Sequence, residues 1–268
     1  MSDRFNRTIN YLRVSITDRC NLRCVYCMPE HGVKLIPHDE ILRYEEILQV
    51  VTEAVKLGID KVRITGGEPL IRKGVENLVA MIAKIDGIRD LTMTTNGILL
   101  EDFAEKLADA GLHRINISLD TVDPVKYYTL SRGGYIHKVF RGIDAAQKAG
   151  LNPIKINCVI FDQSEEQNKT KEEIREFCLQ NGLEARFIQR MDLKSGCFSV
   201  VEGGNGGDCT VCNRLRLTAN GFIKPCLFNN LSFNIREMGV RQALEAAINQ
   251  KPEKGDINTI NMFSNIGG

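Results

Sequence analysis

The chain has 268 residues, enough to bury a full core as one barrel-sized domain or two small ones, with one large domain favoured. With 43% hydrophobic residues, 26% charged residues and a net charge of +1, its composition is that of an ordinary soluble enzyme and excludes a general affinity for nucleic acid, although local basic clusters can still hold a phosphate-bearing small molecule. No run of about 18 apolar residues is present and the segment starting at Met1 lacks a secretion signal, so a cytoplasmic protein without a membrane association is expected.

In chain order, short β-branched runs alternate with longer segments of helical period from residue 11 to about 190, the pattern of repeated βα units around a parallel sheet. The strands are expected at 11–17, 61–65, 90–94, 114–119, 154–160 and 184–190. Helices are expected at 39–57, 101–110 and 139–149, the last two ending at Gly111 and Gly150, where glycine suits a C-cap. Such units build either an open doubly wound sheet or a partial barrel. Gly66-Gly67-Glu68, Asn96-Gly97 and Ser118-Leu119-Asp120 all fall at carboxyl ends of strands, and polar residues from three strands at one rim favour a partial (βα)6 TIM-type barrel. After residue 190 the character changes. Residues 194–208 are rich in glycine, a cysteine-bearing segment follows, 242–249 reads as a last helix, and a polar tail ends in Gly267-Gly268. The expected division is a barrel over 1–190 and a small module over 191–268.

Nine cysteines in a reducing compartment argue for metal rather than disulfides, and six of them form two triplets. Cys20, Cys24 and Cys27 have the spacing C-x3-C-x2-C immediately after the first strand. Three thiols hold three corners of a four-iron cluster and leave the fourth iron open to bind a substrate. Zinc is the alternative, but a structural zinc site takes four protein ligands, and His31 and His38 lie in a Pro-containing loop with no suitable partner. Cys209, Cys212 and Cys226 repeat the pattern as C-x2-C-x13-C. Here Cys197 could supply a fourth ligand, so a closed zinc site stays open as a reading. Between these cysteines, Arg214 and Arg216 alternate on a strand and face one side, suited to phosphate or to a purine edge; an exposed strand face is the bland alternative. Cys158 and Cys178 read as small buried hydrophobes.

The first triplet with Tyr26, followed by Gly66-Gly67-Glu68-Pro69, resembles the radical S-adenosylmethionine (SAM) enzymes. Without the cysteines, the two glycines would read as an ordinary turn. The resemblance implies two things: SAM chelated at the open iron, and an electron that splits it to give a 5′-deoxyadenosyl radical. Residues matching the cosubstrate contacts are Tyr26, Gly67, Glu68, Thr94 and Ser118. Thr17-Asp18-Arg19 ahead of the first triplet and Asn213-Arg214-Leu215-Arg216-Leu217-Thr218 within the second narrow the likeness to the GTP 3′,8-cyclase family, over residues 8–190 and 209–268.

That branch implies conversion of GTP to (8S)-3′,8-cyclo-7,8-dihydroguanosine 5′-triphosphate in molybdenum cofactor biosynthesis, with two [4Fe-4S] clusters, the second binding the guanine base. It implies a nucleotide held by Arg13, Lys61, Arg63, Arg186, Arg214 and Arg216, although any one of Arg13, Lys61 or Arg63 alone would read as a surface salt-bridge partner. Arg13, Arg214, Arg216 and the tail glycines Gly267 and Gly268, which enter the active site, match its catalytic residues. It further implies an external reductant such as flavodoxin or ferredoxin and a downstream cyclic pyranopterin monophosphate synthase; a homodimer is left open.

Two departures stand out. Between Met191-Asp192 and Cys209 the chain is shorter than the family pattern by several tens of residues, and Gln189 occupies a position where glutamate is usual. The competing readings are a two-cluster radical SAM enzyme acting on a peptide or another cofactor precursor, and a non-enzymatic iron–sulfur electron carrier. Gly66 to Pro69 speaks against the carrier, and Arg214, Arg216 and the terminal glycines favour GTP.

Overall fold

The computed structural model describes residues 1–260. Strands and helices alternate as β1 (Tyr11–Ser15), α1 (Tyr44–Lys56), β2 (Lys61–Thr65), α2 (Val75–Ala83), β3 (Asp90–Thr95), α3 (Leu100–Asp109) and β4 (Arg114–Ser118). They continue as α4 (Pro124–Ser131), α5 (Ile136–Lys148), β5 (Lys155–Ile160), α6 (Glu165–Gln180) and β6 (Glu184–Gln189). The chain then adds β7 (Arg214–Leu217), β8 (Phe222–Lys224), β9 (Phe233–Asn234), α7 (Ile235–Met238) and α8 (Val240–Asn249).

All strands join one sheet in the order β6-β5-β4-β3-β2-β1-β7-β8-β9. Neighbours from β6 to β7 are parallel, and β8 and β9 continue antiparallel. The sheet is curved by its covering helices without closing on itself, the partial TIM-type barrel that consecutive βα units produce. Each helix buries an apolar stripe on it. In α1 the buried positions are Ile47, Val50, Val51 and Ala54, at helical spacing.

Two boundaries differ from the sequence pattern for local reasons. Strand β1 stops at Ser15 because the Thr17 carbonyl accepts from Gly67 N at 2.7 Å, turning the chain across the end of β2. Helix α1 starts at Tyr44 because residues 37–40 close a turn, with Glu40 N on the Pro37 carbonyl at 3.1 Å. The segment after residue 190 shares the barrel's sheet and core: Leu215, Leu217, Ile223, Leu244 and Ile248 belong to the same buried cluster as the residues of β1 to β6. The short stretch before Cys209 folds back on β6 through pairing of Phe187 with Glu202, and Asp192 pairs with Cys197. Among the described residues, no helix is long and apolar enough to cross a membrane.

Candidate functional site

A cavity of about 630 Å³ runs the length of the barrel interior. At the carboxyl ends of the strands it is lined by Cys20, Cys24, Cys27, Gly67, Asn96 and Ser118. At the other end it reaches Tyr11, Lys61, Asp90, Arg114 and Arg214, each the first residue of its strand. Polar residues at one rim, the basis for expecting a barrel, therefore make only half of the site.

At the carboxyl end the first triplet forms a compact loop. Cys27 N and Met28 N both donate to the Cys24 carbonyl at 3.0 Å, and Cys20 Sγ accepts from Leu22 N at 3.4 Å and Asn96 Nδ2 at 3.8 Å. Burial pushes all three thiols up, Cys27 to about 12, reinforced by Glu68 at Cys20 and by Asp120 and the neighbouring thiols at Cys24 and Cys27. Three neighbouring thiols at the cavity mouth suit a cationic iron–sulfur edge, because bound metal deprotonates its thiols outright. Among the described residues, no three His, Cys, Asp or Glu side chains are drawn together as around a single metal ion.

The glycine motif is required by the chain itself. A Cβ on Gly66 would lie 2.6 Å from the Thr17 carbonyl, and one on Gly67 would lie 2.2 Å from that of Arg19. These glycines clamp β2 against the loop carrying the first triplet, and both line the cavity. Glu68 was expected at the cosubstrate amine, but it is 1% exposed and absent from the cavity wall. Its oxygens accept from Leu70 N at 3.0 Å, Thr95 Oγ1 at 2.7 Å and Asn96 N at 2.7 Å, and burial raises its pKa to about 7. The carboxylate therefore ties two strand ends together.

Tyr26 lines the cavity and donates its hydroxyl to Asp120 Oδ2 at 2.8 Å. Burial raises the Asp120 carboxyl to about 6, against the Val159 N–H and the Tyr26 hydroxyl, which favour its charge. Thr94 and Ser118 line the wall beside it, and the Thr94 hydroxyl is buried with no hydrogen-bond partner. An orphaned hydroxyl on a cavity-lining residue fits a ligand with polar groups such as SAM.

At the amino end the structure brings Arg13, Lys61, Arg63, Arg186, Arg214 and Arg216 to one cavity. Register explains it: β1 lies between β2 and β7, pairing Arg13 with Arg63 and with Arg216, and Tyr11 with Lys61 and with Arg214. Arg63 Nε donates to Thr92 Oγ1 at 3.2 Å. Burial, followed by the repulsion of Arg216, pushes Arg13 well below its ordinary value; burial and then Arg214 bring Arg216 down to about 10. Such a crowd of buried cations fits a multiply charged anion.

The second triplet opens from the same end, since Cys212 precedes β7 and Cys226 follows β8. All three of its cysteines line the cavity, whereas Cys197 is exposed and does not. Although burial works against it, Lys251 and Arg214 hold the Cys212 thiol below its ordinary value. Lys251 is 1% exposed, and its ammonium donates to the carbonyls of Arg214 at 2.7 Å and Pro225 at 2.6 Å. Arg7 fastens this end, donating to the carbonyls of Cys209, Glu253 and Pro252 while paired with Asp3.

Sequence reasoning missed Tyr11, Arg114, Lys251 and the glycine loop at 203–207, all of which line the cavity. Tyr11, two residues from Arg13 on one strand face, carried a usable signal; Lys251, beyond the last helix, carried none. Gly267 and Gly268 lie outside the described residues.

A model of the Radical SAM superfamily matches residues 14–174. The GTP 3′,8-cyclases of Thermodesulfovibrio yellowstonii and Petrotoga mobilis are each 40% identical, over 100% of this chain and 100% of theirs. That of Alkaliphilus oremlandii is 38% identical over 97% of this chain and 95% of its own. The alignment with the first runs over 327 positions against 268 residues here. Among solved structures, Streptococcus suis SuiB superposes with a TM-score of 0.63 at 17% identity, covering 91% of this chain and 66% of that one. Methylornithine synthase gives 0.57 at 15%, covering 76% and 61%. At such identities the two structures speak for the fold alone.

Proposed function

The chain belongs to the GTP 3′,8-cyclase family of radical SAM enzymes, lyases of molybdenum cofactor biosynthesis that use a [4Fe-4S] cluster and SAM, and we propose that it divides that reaction between the two ends of one cavity. The single observation that carries this reading is the cavity itself, with a thiol triplet at each end and the cations gathered at only one.

At the carboxyl end, Cys20, Cys24 and Cys27 hold the first cluster, and Tyr26, Gly67, Thr94 and Ser118 hold the cosubstrate. Together, the bound cluster and cosubstrate supply a 5′-deoxyadenosyl radical able to remove the ribose 3′ hydrogen. Glu68 acts by fixing the ends of β2 and β3 rather than by touching ligand. At the amino end, Cys209, Cys212 and Cys226 hold a second [4Fe-4S] cluster, and Lys251 neutralises its thiolates. Arg13, Lys61, Arg63, Arg186, Arg214 and Arg216 hold the nucleotide, with Arg13, Arg214 and Arg216 matching the family's catalytic residues. The terminal Gly267 and Gly268 enter the same site.

An external reductant such as flavodoxin or ferredoxin and a downstream cyclic pyranopterin monophosphate synthase complete the setting. Burial in a narrow cavity excludes water from the sugar carbon and keeps the base and ribose of one nucleotide together, so that C3′ closes on C8 of the same molecule. Anaerobically reconstituted protein with dithionite, SAM and GTP should yield 5′-deoxyadenosine and the 3′,8-cyclised nucleotide. Deoxyadenosine without any change in GTP would overturn the substrate assignment.

A further inference from the structure

One aromatic side chain stands among the cations without a role in the reading above. Tyr11 opens β1, flanked in register by Lys61 of β2 on one side and by Arg214 of β7 on the other. The guanidinium carbons of Arg63 and Arg214 lie 5.5 and 5.7 Å from its ring centroid. Tyr11 lines the cavity, and its hydroxyl oxygen is buried without a hydrogen-bond partner.

Each observation excludes a bland role. A core tyrosine satisfies its hydroxyl when buried, and this one does not. A ring placed only for packing would not have two guanidiniums, delivered by strands on opposite sides of β1, within cation–π distance. Arginines crowded this closely repel one another, and the negative ring faces offset that repulsion while fixing where each guanidinium sits.

Position along the barrel identifies what the hydroxyl addresses. The reacting ribose carbon must face the carboxyl end, where SAM is bound. The phosphate chain then trails towards the first residues of the strands, and its far end comes to the level of Tyr11, Lys61 and Arg214. We propose that Tyr11 positions Arg63 and Arg214 through its ring and donates its phenolic hydrogen to the distal phosphates of the nucleotide. This rests on GTP occupying the cavity as proposed above. It makes Tyr11 a determinant of triphosphate over monophosphate recognition.

The test is anaerobic equilibrium binding of GTP and of guanosine 5′-monophosphate to reconstituted wild type, Tyr11→Phe and Tyr11→Leu. Tyr11→Phe keeps the ring and should weaken GTP about tenfold, the value of one hydrogen bond to a charged group, with the monophosphate within about twofold. Tyr11→Leu also frees both guanidiniums and should weaken GTP about a hundredfold. GTP binding by Tyr11→Phe equal to wild type, or an equal loss for GTP and monophosphate, overturns the proposal. If Tyr11→Leu loses iron, Tyr11→Phe decides alone. Wild-type protein that neither binds nor cyclises GTP overturns the functional reading itself and this inference with it.

Discussion

The two ends of the cavity carry the same ligand pattern in opposite electrostatic settings. Near the carboxyl end the first triplet lies close to two buried carboxyls, Glu68 and Asp120, and its thiols are pushed up. At the amino end the second triplet lies beside Lys251, Arg214 and Arg216; Lys251 and Arg214 hold Cys212 down, whereas burial pushes Cys226 up. The number of thiols alone would make the triplets equivalent. Their surroundings do not: an acidic setting suits a sulfonium cosubstrate carrying an ammonium, and a basic one suits a polyphosphate. In the proposed arrangement one barrel takes a cation-bearing and an anionic ligand in a single cavity while the chain as a whole stays near neutrality.

The largest effects should come from removing one triplet at a time. Cys24→Ala should abolish reductive cleavage of SAM, by more than the about hundredfold that outer partners of a metal site command. Cys226→Ala should instead leave slow cleavage in place while GTP cyclisation disappears. Each variant should lose about half the iron, measured colorimetrically alongside 5′-deoxyadenosine. Equal loss of both activities in both variants would break the division between the ends. Next in size, Arg216→Ala removes a cation that is 8% exposed from the nucleotide end and should cost about 2–5 kcal/mol of GTP binding, read by calorimetry, with SAM binding unchanged.

The two ends were unequally legible in the sequence. The six parallel strands announced themselves as β-branched runs, and the first triplet with its glycines lay in two short contiguous motifs. Helix α6 was faint because its buried stripe consists of only Thr170, Ile174 and Cys178 in an otherwise polar segment, although Ser164 caps it by accepting from Gln167 N. The amino end is assembled from the first residues of separate strands, so no local pattern marks it; only the register of β1 with β2 and β7 brings its cations together. The inward turn of Glu68 was hidden for a similar reason. A glutamate in a motif reads as a ligand contact until the positions of Thr95 Oγ1 and Asn96 N are known.

A third test concerns what holds the second end in place. Arg7 and Asp3 form a buried pair, with side chains 6% and 0% exposed, and Arg7 also bonds three backbone carbonyls around the second triplet. Arg7→Ala leaves a buried carboxylate and several acceptors unmatched, which should cost about 3–5 kcal/mol. Thermal melting should show that loss, and iron should be lost from the second site before the first. A melting temperature equal to wild type would mean that the amino-terminal segment does not support this end.

The smallest effect should come from the glycine loop that closes the cavity beside Arg186. Glu202 pairs with Phe187 of β6 and forms ion pairs with Lys171 and Arg175 of α6, so the loop at 203–207 is pinned to the barrel at its start. A Cβ on Gly203 would meet the Ala185 carbonyl at 2.6 Å, so the loop packs directly on the strand that carries Arg186. These ion pairs are half exposed, and each is worth about 0.2–1 kcal/mol. Glu202→Gln keeps the backbone pairing and the side-chain volume while removing the charge. It should therefore leave melting nearly unchanged and raise the KM for GTP about two- to threefold through a looser loop. Cleavage of SAM without nucleotide should not change, because Gly203 and Gly204 of the loop lie against Ala185 and Arg186 of β6. A rise in the KM for SAM as large as that for GTP would show that the loop serves both ends, and the short stretch before Cys209 would then be a cover for the whole cavity.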